Sequence, residues 1–400
     1  MRVSRLIVVL ALGLTLAGPG KAQVSGQLAG LPSRFTDQEF WQLSDTFSEE
    51  NGSFQSDNLL SNELVFREIV PDLIAKTKPG GVYLGVGPEQ NFTYIAAMKP
   101  RVVFITDIRR GNLHEQLLYK ALFELSADRA DFVSRLFTRP RPAGLTAASS
   151  AADIMNAFWD VFASDEATFI ANLKAVQDRL TKVHHLPLSA EDLDGIAKVY
   201  RAFYWYGPSM SYGANIALTA PVGVRGTNYR DLMVQTSVSD APDAMGEGLS
   251  YLGSEDRFRI VRDLEVRNLI VPVVGNFAGP KALRAVGNYV RYHGATVTAF
   301  YVSNVESYLH RDGSWPAFCG NVATMPLDEA SVFIRPNAIR SVINGQSLQF
   351  SSSGTVTTAA GTPNKFRLIP APAAAVVGIP SGPIGSGLVP IAQEVRDCDR

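Results

Sequence analysis

Cysteine is scarce in this chain. Two residues, Cys319 and Cys398, stand in a sequence of 400, too few for a disulfide scaffold or a zinc ribbon. Excess charge is missing too: 37 Lys and Arg against 38 Asp and Glu leave a net charge of -1. A dedicated nucleic-acid binder carries a basic surplus, so no nucleic-acid partner is expected. The five histidines form no metal pattern. His114 adjoins Glu115 and His184 adjoins His185, and adjacent side chains on a helix point different ways. His293 and His310 are isolated, so no metal site is expected. There is no G-x-S-x-G elbow and no G-x-x-x-x-G-K-[ST] phosphate loop. Beyond the N-terminus no apolar run reaches the ~20 residues of a membrane-crossing helix. Hydrophobic residues at 46% exclude a disordered chain, and the length fits one large domain or two ordinary ones.

The N-terminus reads as an export signal. Arg2 and Arg5 precede an apolar run from Leu6 to Ala17, and Gly20-Lys21-Ala22 places small residues at a cleavage site. The run is too short for a permanent ~30 Å span. Residues 1–22 are therefore read as a signal peptide, and the mature chain begins near Gln23 in the periplasm or outside the cell. No stable membrane span is expected after cleavage. In an oxidising compartment Cys319 and Cys398 can pair; a buried thiol and a free tail thiol are the alternative.

The rest of the chain has a rhythm. A helix is expected near Thr36–Thr46, and a further apolar face over residues 60–77, with Pro71 either breaking it or opening its second piece. Lys78-Pro79-Gly80-Gly81 is turn chemistry. Val82–Gly87 and Arg101–Ile108 are short β-branched runs that suit buried parallel strands, with helical stretches at Gln90–Met98 and Asn112–Leu125. Alternation of this kind predicts an α/β fold with a doubly wound, mostly parallel sheet. Residues 126–215 break it with consecutive helical stretches and read as a helical insertion, ending in an aromatic cluster from Tyr200 to Tyr212. That cluster is either core or the wall of a pocket. The rhythm resumes with strands at Asn268–Val274, Ala295–Val302 and, last, Ser331–Arg335. Residues 23–350 thus form one domain. Residues 351–400 are a tail, about two-thirds Gly, Pro, Ser, Thr and Ala between Ser351 and Pro390, and such composition tends toward coil or extended structure.

Chemistry concentrates at the ends of the predicted strands. Gly85-Val86-Gly87 closes the first, where glycines let backbone approach a ligand. Asp107 closes the second, where doubly wound domains place an acid for ribose hydroxyls. A tight turn, with Asp107 capping the next helix or pairing with Arg109 or Arg110, is the plainer alternative. Asp57, Asn58, Asn62 and Glu63 precede a predicted helix and either cap it or rim a cleft. Asn304 and Glu306 follow a later strand with the same ambiguity, as does Asn276.

These residues also carry a resemblance. KPGGVYLGVG (78–87), VVFITDI (102–108) and the segment 268–335 resemble the class I S-adenosylmethionine-dependent methyltransferase-like superfamily. SDNLLSNE (56–63), GVGPEQNFTYIAAMKPRVVFITDIRRGN and VPVVGNFAGPKALRAVG resemble, more narrowly, an uncharacterised bacterial family without an established activity. The superfamily resemblance implies a methyltransferase-like Rossmann core and S-adenosylmethionine as cofactor. Gly85 and Gly87 would cradle its amino-acid part and Asp107 its ribose, with Asp57, Asn58, Asn62, Glu63, Asn304 and Glu306 at the rim. Tyr83 stands where the superfamily has an acidic residue, and a third glycine is missing. No catalytic base stands out. The functional expectation is an exported protein binding a nucleoside-type cofactor; the alternative is a non-catalytic periplasmic binding or interaction protein with a small-molecule ligand.

Overall fold

A computed structural model describes residues 30–63, 66–220, 228–234, 248–343, 346–350, 356–358, 385–396 and 398. Residues 1–22, read above as a signal peptide, and most of residues 351–400 lie outside the described residues.

The fold is α/β. The strands β1 (Val82–Gly85), β2 (Val102–Asp107), β3 (Ile270–Val274), β4 (Val297–Tyr301) and β5 (Val332–Ile343) run parallel in the order β3-β2-β1-β4-β5. A sixth strand, β8 (Gly385–Pro390), adds antiparallel to β5. This six-strand, mostly parallel open sheet is compatible with a Rossmann-like fold. The far end of β5 continues into an antiparallel ladder with β6 (Gln346–Phe350) and β7 (Val356–Thr358).

Physical causes are plain for the central strands. Every residue of β1, β2 and β3 is buried, which is why their sequences are continuous apolar runs rather than alternating ones. Helices cover both faces. α1 (Asp37–Phe47) is capped by Thr36, whose hydroxyl accepts from Glu39 N while Glu39 reaches back, a capping box. α2 (Val70–Lys76) opens with Pro71 in its first turn after a 3-10 turn at Phe66–Ile69. The expected helix over 60–77 is thus confined to its second half. Residues 60–63 are irregular, and Ser61 Oγ turns back to accept from Glu63 N at 3.1 Å, a local bond that competes with a helix. α3 (Gln90–Met98) links β1 to β2.

Between β2 and β3 the described chain is helical: α4 (Arg110–Leu125), α5 (Arg129–Phe137), α6 (Ala151–Trp159), α7 (Glu166–Asp178), α8 (Ala190–Tyr206), α9 (Tyr229–Val234) and α10 (Glu255–Val266). α4 lies between the sheet and these helices and is buried on nearly all sides. Its polar groups therefore need partners. Lys120 Nζ donates to Glu124 at 2.8 Å and to Glu265 O at 2.5 Å, and His114 Nε2 lies 2.8 Å from Asp192 Oδ1. An aromatic cluster of Phe92, Phe123, Phe132, Tyr251 and Phe258 joins α3, α4, α5 and α10. Most of the aromatic run in α8 is core: Tyr200, Phe203 and Tyr206 are buried, while Trp205 is exposed.

After β3 come α11 (Ala282–Tyr292), β4, α12 (Val305–Arg311), α13 (Trp315–Ala323) and β5; α14 (Ile391–Glu394) is the last described helix. Ser331–Arg335 is not the last strand. β5 runs on to Ile343, and part of the tail returns as β8 along Val332–Asn337. Cys319 on α13 and Cys398 after α14 are disulfide-bonded, with Cα atoms 5.4 Å apart. Among the described residues no helix is long and apolar enough to cross a membrane.

Candidate functional site

Four of the five parallel strands, β1 to β4, point their C-terminal ends at one cleft of about 560 Å³. Gly87 and Pro88 follow β1, Asp107 ends β2, Asn276 and Phe277 follow β3, and Ser303 and Asn304 follow β4; all line it. The strand order reverses between β1 and β4, and in open α/β sheets that switch point is where ligands bind. Phe54, Asn58 and Tyr308 of α12 line it as well. Phe54 and Tyr308 meet edge to face at 5.1 Å.

The glycines have separate roles. Gly85 is inside the sheet, where a β-carbon would overlap the Asn91 carboxamide. Asn91 uses that space to staple the turn, donating to Val86 O at 2.9 Å and Pro88 O at 2.8 Å. Gly85 shapes the site from behind and does not line the cleft. Gly87 does line it, with φ of +75° and no atom within 4 Å of an added β-carbon.

Asp107 reaches the cleft already engaged. Its Oδ1 accepts from Arg109 N at 2.9 Å, and the Arg109 guanidinium lies 3.2 Å from Oδ1 and 3.3 Å from Oδ2. The expected pairing with an arginine is therefore present, and a ligand hydroxyl would share the carboxylate with it. Arg110 instead pairs with Asp192 at 2.6 Å. Asp57 is not in the lining. Its Oδ2 accepts from Ile216 N at 2.9 Å and its carbonyl accepts from Arg109 Nη1, so it ties the rim to the helical segment. Asn58, in the left-handed region at φ of +45°, receives Tyr212 OH at 3.2 Å. Asn62 lines the cleft. Asn304 does too; it stands at the N-cap of α12 without a side-chain capping bond. Glu306 turns away to Arg335, 2.6 Å distant.

Glu63 lies just behind the wall. Tyr301 OH donates to its Oε1 at 2.6 Å, Ser303 Oγ to the same oxygen at 3.0 Å, and Gln90 Nε2 to Oε2 at 3.2 Å. Ser303 has φ of +48°, a conformation that costs roughly 1–2 kcal/mol for an L-residue. Behind the Gly87 turn are two fully buried acids. Burial pushes the Glu89 carboxyl up to about 8, with Ser61 N donating to it at 3.5 Å. Burial, then the charge of Glu89, pushes Glu115 well above the usual carboxylate range. Such groups cluster at functional sites and in structural networks alike. Among the described residues no cluster of His, Cys, Asp and Glu could hold a metal.

The structure thus brings Gly87, Asp107, Asn58, Asn62 and Asn304 to one cleft, sets Gly85, Asp57 and Glu63 behind it, and leaves Glu306 outside. Tyr212, from the aromatic cluster read as core or pocket wall, lines the cleft, whereas Tyr301 and Tyr308 have no site expectation attached to them in the sequence. Only the position of Tyr301 at a strand's C-terminal end marked it in the sequence. Fold and cleft together define an open-sheet α/β protein with a ligand-sized site at its switch point. The family described as domain of unknown function DUF7790 matches residues 59–187 and 224–353, and the chain belongs to that family. No curated protein matches the chain.

Proposed function

We propose that this is an exported protein with a methyltransferase-like core that binds a small nucleoside-type ligand, such as S-adenosylmethionine, in the switch-point cleft. The observation that carries this reading is the convergence of Gly87, Asp107, Asn276 and Asn304 from four strand ends on one cavity. An open glycine turn suits close approach of backbone to a ligand, and an acid ending β2 suits a ribose. Export is supported by the charged and apolar N-terminus and by the Cys319–Cys398 disulfide, a bond favoured by oxidising compartments.

Methyl transfer can proceed by positioning and desolvation alone, so this reading asks no catalytic base of the cleft. A second reading is a non-catalytic binding protein that uses the same cleft for another small ligand. The hold of Arg109 on Asp107 favours it, because the ribose-accepting carboxylate is already satisfied. Calorimetric titration of the purified mature chain with S-adenosylmethionine and S-adenosylhomocysteine separates the two. Micromolar binding that Asp107→Ala abolishes supports the first reading; no heat from a correctly folded chain leaves the second.

A further inference from the structure

We propose that Ser303 is a nucleophile for the cleavage of neutral carboxylic esters, with Glu63 taking and returning its proton. This goes beyond ligand binding and requires the cleft, but no nucleoside within it.

Three observations carry the proposal. The first is a nucleophile, a base and groups that orient the base, all within hydrogen-bond reach. Ser303 Oγ donates to Glu63 Oε1 at 3.0 Å, and that carboxylate is fixed by Tyr301 OH at 2.6 Å and Gln90 Nε2 at 3.2 Å. Glu63 is buried while Ser303 reaches the cleft, so the base is shielded and the nucleophile accessible.

The second is the backbone. Among the described residues seven non-glycine positions have positive φ. Lys99 and Thr138 are left-handed caps closing α3 and α5, a common use of that conformation. Ser303 closes no helix. It sits at the turn from β4 into α12 with φ of +48°. A strained strand-to-helix turn lifts a nucleophilic serine above an α/β sheet, and such outliers persist where surrounding structure holds them.

The third is the lining. Asn62 and Asn304 line the same cavity as Ser303, and a carboxamide N–H is the kind of donor an oxyanion needs. Phe54, Tyr308 and Leu309 give it apolar walls, which suit an uncharged ester with an aromatic or aliphatic arm.

The reaction balances with water alone. Ser303 Oγ attacks the ester carbonyl carbon and its proton passes to Glu63 Oε1. The bond from carbonyl carbon to alcohol oxygen breaks, and the leaving alcohol takes that proton. Water then attacks the acyl-serine, giving a proton to Glu63. As the acyl–Oγ bond breaks, that proton returns to Ser303 and the acid is released.

The test uses the purified mature chain with an alkyl fluorophosphonate, followed by peptide mass spectrometry, and measures p-nitrophenyl butyrate hydrolysis in parallel. The expected result is one adduct, on Ser303, lost in both Ser303→Ala and Ser303→Gly. Hydrolysis falls at least ~100-fold in those variants and in Glu63→Gln. Ser303→Gly relaxes the turn, so it keeps its fold even if Glu63→Gln does not. Absence of an adduct on Ser303 in folded protein, or unchanged hydrolysis in Ser303→Gly, overturns the proposal. Because nucleoside binding is measured separately, either idea can fail alone.

Discussion

Replacing Cys398 with serine opens a covalent loop whose ends are 79 residues apart in sequence. In the chain-entropy picture a loop of that length restricts the unfolded state by about 15 cal/mol/K, or ~4.5 kcal/mol at 25 °C. The native state gives part of the answer as well. β8 keeps its six-residue pairing with β5, and Arg335 still bridges Glu306 and Glu394, so the returning strand stays docked without the bond. The loss is therefore expected in the unfolded state rather than in the fold. For a chain of this size an unfolding entropy of roughly 0.8 kcal/mol/K converts it to a drop of about 6 °C in Tm. Differential scanning calorimetry of the wild type, the wild type under reductant, and Cys398→Ser measures it. Reductant should lower the wild type and leave the variant unmoved. A wild type that reductant shifts by less than ~1 °C would mean that the bond does not restrict the unfolded chain, and two titratable thiols in denatured, unreduced protein would mean that it does not form.

Other outcomes follow from the buried groups. Glu89 and Glu265 are held up to about 8 by burial, from an ordinary 4.5. The folded chain keeps protons there that the unfolded chain has lost. Their stabilising contribution is thus complete below pH 4.5 and declines toward pH 8, by up to ~1.4 kcal/mol per pH unit for each group. His184 adds to the same trend. Burial opposes its charge, but Glu124 and Asp37 raise it above 6.5, and that help fades at higher pH. Urea unfolding at pH 5 and pH 8 should show the fall, and Glu89→Gln should reduce it while the Glu265 and His184 shares remain; equal stability at both would contradict it. Gly85→Ala places a β-carbon on the Asn91 carboxamide and should lower stability by about 1–3 kcal/mol in the same assay. Gly87→Ala meets no neighbour and should lose only the roughly 1 kcal/mol of its left-handed backbone.

Much of the sheet was legible because parallel strands buried on both faces must be continuous apolar runs. Val102–Asp107 and Ile270–Val274 could hardly be anything else. β8 was hidden for the converse reason. Gly385-Ser386-Gly387-Leu388-Val389-Pro390 has little strand character of its own and is a strand because β5 offers an edge. The site was half legible. A residue at a strand's C-terminal end lies near the cleft whatever its partners, so Gly87, Asp107 and Asn304 could be placed from spacing. Partners could not. Glu63 meets Tyr301 across 238 residues and Ser303 across 240, and no local pattern encodes that. Glu306 shows the opposite error: its position after β4 suggested the rim, yet Arg335 on the neighbouring strand draws it away.

The ligand is expected to enter at the switch point. Hydrogen–deuterium exchange with and without saturating S-adenosylhomocysteine tests it most directly, because it reports where binding occurs. Protection is expected in four segments lining the cleft: 53–62, 86–88, 107–109 and 303–309. Protection confined instead to the groove between α1 and α11, around Phe35 and Tyr289, would contradict it.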